Sequence, residues 1–127
     1  MTIVYKVVSR RYEPDQSTTL ISAAGFQRPN DPWTLVYSTE QKTIPRVGKL
    51  FAFSDYNSAF RFLMSACGSE IWTAEASNTE IPTKCIPWSE SGIERFWADG
   101  NMLGLYVTDA PVGTLFCDDI ILKEKRF

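Results

Sequence analysis

The amino-acid sequence predicts one α+β domain over residues 1–127, a mostly antiparallel, twisted β-sheet with two short helices packed on one face. Three observations lead there. Runs rich in β-branched and aromatic residues open and close the chain, at residues 3–9 and 114–123. One central stretch, residues 56–67, repeats its apolar side chains at helical spacing. Proline and glycine cut the remainder into strand-length segments, and 127 residues is the size of a single domain.

The first strand, 3–9, carries Val and Ile, whose branched side chains suit a pleated surface. Residues 10–18 contain Glu-Pro-Asp and read as a polar loop before a second strand, 19–22, the hairpin partner of the first. Residues 23–32 hold Gly25, Pro29 and Pro32 and form an exposed connection. Strand composition returns at 33–37, and 41–48 is a loop broken by Pro45 and Gly48. Residues 49–53 make a strand buried on at least one face. Ser54 stands at the N-cap position, with Asp55 in the first turn, where negative charge complements the helix dipole. Tyr56, Ala59, Phe60, Leu63, Ala66 and Cys67 line the buried side of this helix, and Gly68 ends it as a left-handed cap.

A strand over 70–76 leaves that helix. Residues 78–87 are irregular, limited by Pro82 and Pro87. Ser89 caps a second helix, 90–98, with Ile93, Phe96 and Trp97 as its apolar face and Gly100 at its end. Strands 102–108 and 114–123 form a last hairpin around a turn at 109–113, and the basic end, 123–127, frays. Helices on one side leave the other sheet face open to a ligand or a second copy.

Totals exclude several functions. The net charge of −2 supplies no positive field for general DNA or RNA binding. No apolar run reaches the ~20 residues of a membrane helix, and the N-terminus has no basic start or long apolar region of a secretion signal. Cys67, Cys85 and Cys117 are odd in number and widely spaced, as free thiols in a reducing cytoplasm would be. The chain has no histidine, which removes the commonest general base, the Ser-His and Cys-His nucleophile pairs and most zinc sites. A non-enzyme without cofactor or metal is the expectation.

Other groupings fail on geometry. Asp118 and Asp119 are adjacent on a strand and point to opposite faces, so they cannot chelate one ion without a bulge, even with Asp109 nearby. Glu70 and Glu75 also face opposite ways; either is a lone catalytic carboxylate at best, with no serine-rich strand to support ADP-ribosyl transfer. Gly48-Lys49 lacks the earlier glycine of a phosphate loop, and Leu50 replaces its Ser or Thr. Cys67 packs on the apolar side of its helix.

A basic and aromatic set has more appeal. Arg10 and Arg11 leave the first strand, Phe26 and Arg28 lie in the glycine-proline loop, and Arg95 stands near Trp97 on the second helix. Guanidinium forks bind phosphate in bidentate fashion and rings stack on bases, so these six residues are the candidate ligand-binding set. Individually, each also reads as a solvated arginine or a core ring.

The run 50–54 with the Ala59-Phe60 helix, then Glu70-Ile71-Trp72, then 110–118, resembles small phage and prophage proteins. The group to which it is most similar includes the phage anti-Thoeris sponges, which sequester cyclic ADP-ribose isomers made as bacterial immune signals. The similarity covers about half the chain. It implies a non-enzymatic nucleotide sponge, a homo-oligomer with pockets near subunit interfaces, and an infected bacterial cytoplasm. No family binding motif maps onto particular residues. Two rival expectations remain: a small transferase or hydrolase built on Glu75, and an inhibitor that binds a host protein through an aromatic surface.

Overall fold

Alternation along the first strand organises the molecule. The computed structural model describes residues 1–23, 35–46, 48–65, 68–82, 86–87, 107–108 and 112–127. β1 (Thr2–Tyr12) outruns the expected 3–9 because Arg11 and Tyr12 pair with Thr19 and Thr18 of β2 (Thr18–Ser22). Arg10 and Arg11 therefore lie within the strand rather than leaving it, and the connection shrinks to residues 13–17.

One edge of β1 pairs antiparallel with β6 (Glu70–Ser77), from Thr2 opposite Ala76 to Val8 opposite Glu70. The other edge is divided. Residues 8–12 pair with β2, while Tyr5 pairs with Phe53 of β5 (Leu50–Phe53). β5 in turn pairs with β9 (Thr114–Cys117), and β6 pairs with β10 (Asp119–Lys125). β9 and β10 are one stretch of chain interrupted at Asp118, whose N–H donates to Ser77 O at 3.0 Å. The path β1, β5, β9–β10, β6 thus returns to β1. Two short strands, β3 (Val36–Tyr37) on β2 and β4 (Lys42–Thr43) on β10, carry the chain across a second gap.

The sheet is mostly antiparallel, as expected, and it is nearly closed and barrel-like, with one helix among the described residues where two were expected. Its inner face is filled. Val4 and Val8 meet Ala74, Ala76, Leu50, Ala52, Leu115, Cys117, Ile120 and Leu122 there. A ring of so few strands has little interior volume, which is why alanine recurs at three inner positions, Ala52 on β5 and Ala74 and Ala76 on β6. Odd-numbered residues of β1 face outward, where Val7 joins Phe53, Ile71, Ala59 and Leu63 in a second cluster beneath the helix.

That helix, α1 (Tyr56–Ser65), begins one residue later than Ser54 would allow. Asp55 is its cap. Its Oδ1 accepts the Ser58 N–H at 2.8 Å, its Oδ2 accepts the Ser58 hydroxyl, and these bonds hold its carboxyl below the usual range. Ser54 instead donates its N–H to Gly113 O at 2.8 Å, which ties the helix start to the turn before β9. Rings cover the junction: Tyr5 stands edge-on to Tyr56, Phe53 tilts against Phe62, and Phe60 meets Phe127. Much of the chain's aromatic content is thereby spent on packing outside the barrel.

Several local expectations are corrected. Residues 41–48 contain β4, because Lys42 and Thr43 find partners on β10. The last hairpin does not form: β8 (Val107–Thr108) pairs with β7 (Ile86–Pro87), inside a stretch expected to be irregular, and β9 takes β5 as its partner. The C-terminus is pinned, since the N–H groups of Arg126 and Phe127 both donate to Ile71 O. The second helix at 90–98, Cys67 and Cys85 lie outside the described residues. No described helix is long and apolar enough to cross a membrane.

Gly68 is not the left-handed helix cap expected, since its φ is not positive; the structure gives it a packing role instead. A Cβ there would stand well inside van der Waals contact of Val7 Cγ1, in the cluster between β1 and α1. Gly68→Ala is expected to lower unfolding stability by about 1–3 kcal/mol, the usual cost of overpacking, read as a lower midpoint in urea at unchanged slope.

Candidate functional site

Arg10 and Arg11 diverge, as neighbours on a strand must. Arg10 reaches Glu70 across β1 and β6, with Nε donating to Oε2 at 2.5 Å and Nη2 to Oε1 at 2.9 Å. Its Nη1 donates to Thr18 Oγ1. The Trp72 indole N–H also donates to Glu70 Oε1, at 3.0 Å, and Lys125 Nζ stands 4.0 Å from the same oxygen. Four donor groups from three strands converge on one buried carboxylate, and the Arg10 guanidinium holds it below the usual carboxylate range. Arg11 turns the other way, to Glu13 Oε1 at 2.8 Å. Both guanidiniums are committed to carboxylates of the protein itself. Phe26, Arg28, Arg95 and Trp97 lie outside the described residues.

The inner face of β1 holds a charged group that composition gave no reason to expect. Lys6 sits between Val4 and Val8 and is 7% exposed. Its Nζ donates to Phe51 O at 2.6 Å and lies 5.4 Å from the centre of the Tyr37 ring. Burial pulls its pKa down to about 8, an effect that the nearby Cys117 partly opposes. Burial also pushes the Cys117 thiol up to about 11 and raises the Tyr37 hydroxyl. The signal in the sequence was parity: a lysine on the inward register of an otherwise apolar strand.

Among the described residues a groove of about 310 Å³ lies at the β3–β4 corner. Leu35, Val36 and Ile44 supply its apolar surface, and Ser38, Gln41, Thr43, Lys42 and Arg46 its polar groups. The backbone here is held from both sides. Ser22 N donates to Leu35 O, Leu35 N donates to Ser22 Oγ, and Glu40 N donates to Leu122 O at 2.9 Å. Glu40 takes a positive φ of 63° at the corner, and its carboxylate accepts from Lys123. Lys42 extends along the outer face to within 3.8 Å of Asp119 Oδ2 and keeps half its side chain in solvent. Arg46 is exposed and makes no ion pair with any described residue. Sequence reasoning took 41–48 as a connection and so passed over both cations. The clue was their placement around Pro45.

The remaining carboxylates are mostly occupied. Asp118 accepts from Lys49 and from Asn78 Nδ2, and Asp119 accepts from Ser77 Oγ at 2.6 Å, so these neighbours do face apart. Glu75 is on the outer face of β6, opposite Ile3 on one side and Ile121 on the other. No group of three or more metal-ligating side chains occurs among the described residues. No family model, curated protein or solved structure matches the chain.

Lys6 makes stability depend on pH in a definite direction. The folded chain releases this proton near pH 8, whereas an unfolded lysine keeps it to about 10.4. Between those values the unfolded state binds more protons, so stability rises with pH. Cys117 acts oppositely from about pH 8.5 upward, because the folded state keeps its thiol protonated. Comparison with Lys6→Met isolates the lysine. Between pH 7 and pH 9 the wild type should gain about 1 kcal/mol relative to the variant; a constant difference in urea midpoints would show that Lys6 does not titrate in this window.

Proposed function

We propose that this protein captures a small, nucleotide-like anion in the groove at the β3–β4 corner and makes or breaks no bond in it. The observation that carries this reading is Arg46, an exposed guanidinium with no described carboxylate partner, which lines the same groove as Lys42, Val36 and Ile44. By contrast Arg10, Arg11, Lys49 and Lys123 are each paired with a carboxylate. A guanidinium and an ammonium can hold a phosphate, and the apolar surface can take a flat ring. The groove's volume is at the lower end of the range for small-molecule sites.

Absence of chemistry is supported by what the reactive groups are doing. Glu70 and Asp118 accept hydrogen bonds from cations, and Cys117 is fully buried with its thiol held protonated. The resemblance to phage sponge proteins names a fitting ligand, a cyclic ADP-ribose-like immune signal, which has both phosphate and a flat base. On that reading the protein works as a homo-oligomer in an infected bacterial cytoplasm.

Cyclic ADP-ribose and ADP-ribose, titrated calorimetrically, test this. Binding is expected, with the ligand recovered intact by mass spectrometry and the melting temperature raised as native-state ligands must raise it. Arg46→Ala should weaken binding by about tenfold or more, the scale of a lost charge-assisted contact, with the fold unchanged. No heat and no thermal shift at millimolar ligand would refute the proposal. Turnover that is lost in Glu75→Gln would replace it with the transferase reading.

A further inference from the structure

We infer that the groove selects a singly charged phosphodiester over a doubly charged phosphomonoester, and that Asp119 sets this limit. The inference rests on the proposed function and specifies its ligand class. Two cations line the groove, Lys42 and Arg46, but one of them is already partly answered. Lys42 Nζ stands 3.8 Å from Asp119 Oδ2, beyond hydrogen-bond length, so its protons remain available to a ligand while the carboxylate charge stays close. The Asp119 side chain is 15% exposed. Its Oδ2 takes the Ser77 hydroxyl, and its buried Oδ1 has no hydrogen-bond partner among the described residues. A carboxylate so placed is poorly screened by water.

Charge counting then fixes the preference. Lys42, Arg46 and Asp119 sum to one positive charge, which one singly charged phosphate group neutralises. Each phosphate of a cyclic ADP-ribose pyrophosphate carries one such charge, so the limit applies to the phosphate at this cation pair and not to the whole ligand. The second charge of a terminal phosphate would have no cation and would face Asp119 behind Lys42. Glu40, the other carboxylate at this corner, is neutralised by Lys123 and leaves the count unchanged. Within one Debye length such repulsion in a half-buried setting amounts to a factor on the order of ten.

The test compares 5′-AMP with its phosphate O-methyl ester at pH 8, a pair differing by one methyl group and one charge. Wild type is expected to bind the methyl ester about tenfold more tightly. Asp119→Asn should abolish the preference, and Lys42→Met, which leaves Asp119 unanswered, should increase it while weakening both ligands. The two variants move the ratio in opposite directions, so general damage to the fold cannot imitate the pattern. If both nucleotides bind wild type equally, or Asp119→Asn leaves the ratio unchanged, the inference is wrong and the proposed function stands. If neither nucleotide binds at millimolar concentration, the proposed function falls and takes the inference with it.

Discussion

The pairing of β1 with β6 is the constraint on which the rest depends. Its register puts Val4, Lys6 and Val8 on the inner face with Ala74, Trp72 and Glu70, and it puts Tyr5 and Val7 on the outer face with Thr73 and Ile71. A slip of one residue would exchange the two sets and send the barrel lining under the helix. The Glu70 carboxylate guards against that slip. Arg10 from β1, Trp72 from β6 and Lys125 from β10 converge on it, and a buried carboxylate deprived of such partners is costly. Arg10, a candidate ligand residue in the sequence, is held here by Glu70 in a clasp at one end of the barrel.

Closure has a consequence for the groove. Because β1 divides its second edge between β2 and β5, the chain after β2 must travel outward to reach β10. Residues 36–43 make that crossing, anchored at Tyr37 on β2 and at Thr43 on β10. The corner they form is concave, and its backbone is fixed by bonds to both flanking strands. Preorganised walls spare a ligand the entropy of ordering them. The groove and its two cations follow from how the sheet closes.

Much of the fold was legible where local chemistry is strong. The helix at 56–65 announced itself by its apolar spacing, and the strands near 3–9, 19–22, 50–53 and 70–76 by their branched and aromatic content. The cap was misplaced by one residue because Ser54 and Asp55 are both good caps, and the choice depends on Gly113, far along the chain, taking the Ser54 N–H. Closure of the sheet was illegible for a similar reason. It needs the 114–125 segment to change partners at Asp118, and nothing local distinguishes a strand that switches from one that continues. At the site, arginine type was a poor guide. Arg10 is half-buried and paired with Glu70 whereas Arg46 is exposed, a difference set by long-range pairing and invisible in either residue's neighbours.

Native-state hydrogen exchange measures the central claim most directly. If β1 and β6 are the frame on which the remaining strands assemble, their paired amides in Thr2–Val8 and Glu70–Ala76 should exchange through one common opening, with the full free energy of unfolding. Amides of β3 and β4 should open at lower cost. Exchange of the β1 amides ahead of those in β3 and β4 would contradict the account.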